Sequence, residues 1–193
     1  MKLEKLLEVI QVQRHDFLNH IQVISGYLQL NKVDYVMEYI RQICLEATQM
    51  SKTARIKIPE VTAVLLIGFK DAAKYQITAS LAVDSNLTDC AVPGHVLGEA
   101  LECNFDSVIA SMASPELEER RLEVYFTERE RTYICRLCFP APQKNELRCL
   151  ESRIACASGL LNPHGGKIRV TVNDSDMKIY ICLPKKGNTM VLA

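Results

Sequence analysis

Apolar residues recur along the first thirty positions at alternating steps of four and three. They are Leu3, Leu7, Ile10, Phe17, Ile21, Ile24 and Leu28, with Arg14 as the single polar interruption. Steps of this kind place side chains on one stripe of a helix in a heptad pattern. They predict a helix from about Leu3 to Leu30, roughly 40 Å long at 1.5 Å per residue. A second seam follows through Val33, Val36, Ile40, Ile43, Ala47 and Met50. The link Asn31-Lys32-Val33 is short, and Asp34 suits an N-cap. Two long helices so joined are antiparallel neighbours. Leu6, Leu18, Val23, Met37 and Cys44 widen both stripes beyond what two helices bury between them. Packing on the rest of the chain is one remedy. A homodimer, in which two hairpins close a four-helix bundle, is the expected one, because the first helix is too long for a small companion domain to cover.

Beyond Pro59 the period alternates. The residue before a proline is pushed out of helix, so the boundary falls here. Thr62–Lys74 reads as helix, Gln76–Val83 as strand, and Pro93–Met112 as helix with Pro93 in its first turn. Leu122–Thr127 and Tyr133–Phe139 read as strands, Glu146–Leu161 as helix, and Lys167–Val172 and Lys178–Leu183 as strands around the turn-rich Asn173-Asp174-Ser175-Asp176. The order α-β-α-β-β-α-β-β implies a mixed sheet covered by helices on one face. The expected class is therefore α+β: a helical hairpin over residues 1–57 and an α/β sandwich over residues 58–193.

Composition narrows the setting. Hydrophobic residues make up 48% and charged residues 24%, which argues against a disordered chain. Lys+Arg and Asp+Glu are both 23, so no global field gathers phosphate backbones and nucleic-acid binding is not expected. The start runs straight into charged helical pattern, with no secretory leader. The longest apolar stretch, Val61–Phe69, is too short to span a bilayer. The eight cysteines then read as reduced thiols of a cytoplasmic protein.

The sharpest chemical signal is Arg14-His15-Asp16-Phe17-Leu18-Asn19. His15 follows a seam residue and so sits on the flank of the helix. Asn19, four residues on, shares its face, whereas Asp16 is rotated by about 100°. An exposed neutral imidazole is a competent nucleophile, and a guanidinium such as Arg14 matches phosphate geometry. A lone surface histidine is more often merely solvated, and Arg14 could equally set coil register. Other constellations are weaker. Cys135 and Cys138 form a C-x-x-C, but three residues apart on a strand they face opposite sides. His20 is off the face of His15, and His95 and His164 have no convincing partners. Glu118-Glu119-Arg120-Arg121 and Glu128-Arg129-Glu130-Arg131 alternate in sign and read as solvated turn surface.

The stretch Arg14 to Ile24, continuing through Gly26-Tyr27-Leu28-Gln29-Leu30, resembles the phospho-acceptor helix of the sporulation initiation phosphotransferase B family. The citrate/malate-type sensor histidine kinases share a similar stretch. The resemblance covers about the first fifty residues. It implies a dimeric four-helix bundle and a phosphorylated His15. The second half resembles a histidine-kinase ATPase domain in its element order and in His164-Gly165-Gly166-Lys167-Ile168 before the closing Leu183-Pro184. Its nucleotide-binding parts depart from that pattern. Glu99 and Cys103 stand where such kinases have asparagines that bind magnesium and nucleotide, and Asn104 is displaced by one residue, about 100° of helix rotation. The strand ending near Phe139 leads into Pro140-Ala141-Pro142-Gln143, with no Asp and no Gly for a nucleotide loop.

The resemblance implies a phosphorelay. His15 takes a phosphoryl group from the aspartate of one response-regulator receiver domain and passes it to another. Arg14 steadies the oxygens, Asn19 orients the group, and Asp16 orients the imidazole or acts as a base. No cofactor of its own is expected; magnesium comes with the receiver's acidic pocket, since the hairpin has no clustered carboxylates. The docking surface is expected near Phe17, Leu18 and Ile21, although Phe17 and Ile21 also belong to the seam. Two alternatives stand: an ATP-dependent histidine kinase with a divergent nucleotide site, and a non-catalytic dimeric scaffold for a receiver.

Overall fold

The computed structural model describes residues 2–113, 119–142, 144–173 and 175–187, with side chains from Arg14 onward in the first helix. The chain forms two compact units, Met1–Gln49 and Met50–Ala193. In the first, α1 (Lys2–Gln29) and α2 (Val33–Thr53) make the expected antiparallel hairpin. Asn31 makes the reversal. Its backbone is left-handed (φ 53°), its N–H donates to Leu28 O, and the Lys32 N–H donates to Tyr27 O. That pair of bonds is a Schellman motif, and Asn is the residue after Gly that best tolerates the conformation. Asp34 does not cap α2. It lies inside the first turn, where its charge favours the positive end of the helix, while Lys32 O accepts the first helical bond, from Val36 N. Across the hairpin His20 Nδ1 and Tyr39 Oη are 2.9 Å apart, and the Tyr27 ring packs on Tyr35 and Tyr39.

One hairpin leaves much of its seam in solvent. Val36 is buried, but Phe17 is 62% exposed, Ile21 48% and Leu28 51%. The packing of Leu3, Leu7, Ile10 and Met50 lies outside the described side chains.

The second unit carries α3 (Pro59–Lys74), β1 (Thr78–Val83), α4 (Gly94–Met112), β2 (Arg121–Glu128), β3 (Thr132–Pro140), α5 (Lys144–Leu161), β4 (Lys167–Val172) and β5 (Asp176–Pro184). The sheet order is β1-β2-β3-β5-β4, with β1 and β2 parallel and the other neighbours antiparallel. Period-two alternation sends Leu122, Val124 and Phe126, then Tyr133, Cys135 and Leu137, then Met177, Ile179, Ile181 and Leu183 to one face. There they form a single core with the apolar sides of α3, α4 and α5. The opposite face is polar, with Glu123, Tyr125, Arg136 and Lys178 half exposed; Arg136 stacks on the Tyr125 ring at 4.1 Å. Pro59 is the first residue of α3 after an extended Ile58, so this helix starts earlier than its periodicity indicates. Pro93 stands just before α4 rather than in its first turn.

Arg129, Glu130 and Arg131 are exposed, as expected of turn surface, but other charges of the two runs are pinned. Arg120 Nη1 donates to Tyr75 O, and Arg121 pairs with Asp176 at 2.9 Å and Glu119 at 3.2 Å. Glu118 lies outside the described residues. Glu128 accepts from Lys185 Nζ at 2.6 Å and from Ser85 Oγ at 3.0 Å. Those two donors hold its carboxyl below the ordinary glutamate value. A carboxylate held low in the folded state stabilises it above the ordinary value, and that contribution fades as pH falls through the folded value. Glu128→Gln is therefore expected to flatten the acid limb of stability below about pH 4.5, read from urea midpoints against pH.

Two backbone sites give opposite predictions. A Cβ at Gly68 would sit 2.5 Å from Phe105 Cδ1, where α3 crosses α4. Gly68→Ala is expected to cost about 1–3 kcal/mol by overpacking. Gln76 ends α3 in the left-handed region (φ 58°), with its N–H on Ala73 O. Gln76→Gly is expected to raise stability by about 0.5–1 kcal/mol, the left-handed penalty less glycine's entropy cost. Urea unfolding of both variants checks the signs.

Candidate functional site

His15 stands on an uninterrupted stretch of α1, so its direction is set by helix geometry alone. Its side chain is 74% exposed. One turn on, Asn19 Nδ2 lies 3.1 Å from His15 Nδ1, as the four-residue spacing dictates. The Asp16 carboxylate, 54% exposed, approaches the same nitrogen at 3.7 Å. That distance is an electrostatic contact rather than a hydrogen bond. Both neighbours thus act on Nδ1, and Nε2 is the outward nitrogen of an accessible ring. Arg14 is also exposed. The structure accordingly brings His15, Asp16 and Asn19 together within one turn and leaves Arg14 beside them on the helix surface. His20 is half-buried against Tyr39, a packing position off the face of His15. Leu18 is 52% exposed, next to Phe17 and Ile21.

The second unit tests whether its residues fit an adenine nucleotide with magnesium. On α4, Glu99 is exposed and Cys103 half-buried, while Asn104 is fully buried. Asn104 Nδ2 donates to Ala100 O at 2.7 Å, and Oδ1 is enclosed without a hydrogen-bond partner. Its carboxamide faces the core and offers nothing to a ligand. Among the described residues no cluster of three or more His, Cys, Asp or Glu is arranged to hold a metal ion. The α4 residues therefore do not fit the group that this fold holds in kinases.

Cys135 is fully buried in the core, and burial pushes its thiol well up; Cys138 belongs to the opposite sheet face. His95 and His164 are exposed, at the start of α4 and in the turn Asn162–His164. A cleft of about 580 Å³ opens beside β1 and β2, lined by residues that include Thr78, Ser80, Arg121 and Glu123. Its charged groups are engaged, Arg121 with Asp176 and Glu119, and Glu123 with Tyr125 Oη, so it reads as a structural groove. Sequence reasoning did not find that α4 and α5 pack side by side, with Cys103 half-buried on α4 and Cys156 exposed on α5. Linear spacing carries no signal of which helices will pack.

The hairpin and the five-stranded α/β sandwich are similar in fold to solved histidine kinases. The sandwich and hairpin resemble Acinetobacter baumannii histidine kinase AdeS at TM-score 0.52 and 13% identity, over 89% of this chain and 98% of that one. The catalytic domain of histidine kinase ThkA matches at TM-score 0.54 and 13% identity, over 66% of this chain and 92% of that one. Residues 1–56 match the sensor-kinase SpoOB-type alpha-helical domain family.

The hairpin is similar to that domain family and to sporulation initiation phosphotransferase B of Bacillus subtilis (strain 168), 35% identical over 57 residues, 30% of this chain. Sensor protein CitS of Halalkalibacterium halodurans is 28% identical over 130 residues, 63% of this chain. The matches span only 30% and 23% of those two relatives' lengths. Among the described residues no helix is long and apolar enough to cross a membrane.

Proposed function

We propose that the chain is a histidine phosphotransferase that relays a phosphoryl group between aspartates of response-regulator receiver domains through His15. The observation that carries this reading is the exposed imidazole with both polar neighbours on Nδ1. A carboxylate only accepts, so Asp16 favours a proton on Nδ1. The Asn19 carboxamide satisfies that proton when turned to present its oxygen, a half-turn that leaves its shape unchanged. The lone pair is then on Nε2, facing solvent.

Nε2 attacks the phosphorus of an aspartyl phosphate in line. The P–N bond forms, the acyl P–O bond breaks, and the donor aspartate leaves as a carboxylate. Attack by a second receiver's aspartate reverses these steps and restores the neutral ring. Phosphoryl transfer needs positioning and charge neutralisation more than further covalent help. Arg14 would neutralise the phosphoryl oxygens, and magnesium would stay with the receiver's acidic pocket. Two hairpins would bury Phe17, Ile21 and Leu28 against each other in a homodimeric four-helix bundle. Leu18 and the flank of α1 would remain for the receiver. Such a relay operates in the cytoplasm, where receivers are found. The relationship to phosphotransferase B favours this reading.

The fold of the second unit favours a second reading, an ATP-dependent histidine kinase. The inward carboxamide of Asn104 argues against it. One experiment separates them. A receiver charged with labelled acetyl phosphate is expected to pass label to the chain as an acid-labile adduct at His15. His15→Gln should lose at least about 100-fold in transfer, on the scale of removing a positioned nucleophile, while the dimer measured by light scattering persists. Label arriving on His15 from ATP alone would establish the kinase instead. No label from either donor, with the receiver still bound, would leave the scaffold.

The tautomer has its own check. Nitrogen-15 shifts of neutral His15 are expected to show Nδ1 protonated. Asn19→Ala should move them toward the mixture of a free imidazole; unchanged shifts would remove Asn19 from the orienting role.

A further inference from the structure

Strand β4 ends the sheet on one side, and among the described residues its far edge has no pairing partner. Successive residues of an antiparallel strand turn their backbone N–H and C=O groups to opposite sides. Alternate residues of Lys167–Val172 therefore direct both groups away from β5, along a strand roughly 20 Å long. Such an edge is a template for an added strand.

The two faces of β4 differ in chemistry. Its register with β5 sets Ile168, Val170 and Val172 opposite Ile181, Ile179 and Met177, on the face that the helices cover. That cover stops short of the edge: Ile168 packs against the core, but Val170 is 38% and Val172 57% exposed. On the open face, Lys167, Arg169 and Thr171 stand opposite Cys182, Tyr180 and Lys178. Lys167 and Arg169 are exposed, and neither is in an ion pair with another described residue. Lys178 on β5 and Arg136 on β3 continue the cationic surface inward. The acid nearest them on β5, Asp176, is engaged by Arg121. A chain of zero net charge thus gathers positive charge on one side of its open sheet face.

We infer that β4 is a docking edge for an extended segment of a partner protein in which acidic and apolar residues alternate. Added as a further strand, such a segment continues the backbone hydrogen bonds of the sheet. Its acidic residues fall on the open face beside Lys167 and Arg169, where opposite charges across a strand pair attract. Its apolar residues fall on the other face and take Val170 and Val172 out of water. Period two joins the two requirements in one pattern, and a segment shifted by one residue fails both. A second copy of β4 does not meet them. If its valines join these, its Lys167 and Arg169 lie beside their counterparts, and like charges across a strand pair destabilise it. The site belongs to the second unit, and the proposal is independent of the relay chemistry of His15.

The test titrates the full chain into a fluorescein-labelled peptide, Glu-Val-Glu-Val-Glu-Val, and follows its anisotropy. Saturable binding is expected, weakened by added salt. Arg169→Glu should weaken it at least about 10-fold, the scale of losing one close charge pair. The charge-reversed peptide Lys-Val-Lys-Val-Lys-Val should bind the Lys167→Glu/Arg169→Glu variant and not the unsubstituted chain. Both side chains are exposed, and near-UV circular dichroism verifies that the variants are folded. Three further peptides leave the protein unchanged. Glu-Ser-Glu-Ser-Glu-Ser, which keeps the charges and lacks the apolar face, should bind at least about 10-fold more weakly. Of two Glu-Val peptides methylated at alternate backbone nitrogens, one set or the other, the one blocked on the side that meets β4 should lose binding and the other keep it. Hydrogen exchange should show β4 amides protected on adding the Glu-Val peptide. No saturable binding, binding indifferent to Arg169→Glu, or binding kept by both methylated peptides would overturn the proposal. So would protection of the whole β4 edge without peptide, which would mean that a second copy or another part of this chain already covers it.

Discussion

An α-helix returns to the same face about every 3.6 residues, so Asn19 stands one turn beyond His15 and meets its Nδ1 at 3.1 Å. That contact needs no tertiary partner, no loop and no metal. It fixes which nitrogen of the ring is engaged along the helix and therefore which one faces outward. The Asp16 carboxylate reinforces it from the adjacent position. In the proposed relay the helix supplies the reacting atom's orientation, and the surrounding apolar stripe supplies the dimer that keeps the helix from fraying. The exposure of Phe17, Ile21 and Leu28 in one hairpin and the exposure of His15 are two sides of the same pattern. One stripe is too wide for a single partner helix, and the flank beside it stays in water.

The second unit shares its fold with histidine-kinase catalytic domains. Its core is complete, with alternating strands closed by three helices. The carboxamide of Asn104 lies inside that core, bonded to its own helix. A one-residue displacement on a helix turns a side chain by about 100°, which is the difference between a group that faces a ligand and one that faces packing. Glu99 on the same helix is exposed, and Cys103 is half-buried against the core.

Local periodicity carried most of the architecture. The heptad steps marked both hairpin helices, and period two marked the strands and their buried face. The turn that carries His15 was legible for the same reason, since His15, Asp16 and Asn19 interact within four residues. Features that depend on distant partners were not. Arg121 and Glu128 read as solvated charges until the fold places Asp176 beside one and Lys185 beside the other. Asn31 and Gln76 take left-handed backbone without being glycine, and neither hydrophobic period marks such a position.

The central claim is that the engaged nitrogen of His15 is Nδ1 and the reacting nitrogen is Nε2. Nitrogen–phosphorus NMR of the chain, phosphorylated by a charged receiver and labelled at histidine, reads this directly. The account predicts coupling between phosphorus and Nε2 of His15 alone. A phosphoryl group on Nδ1, or on any residue other than His15, would contradict it.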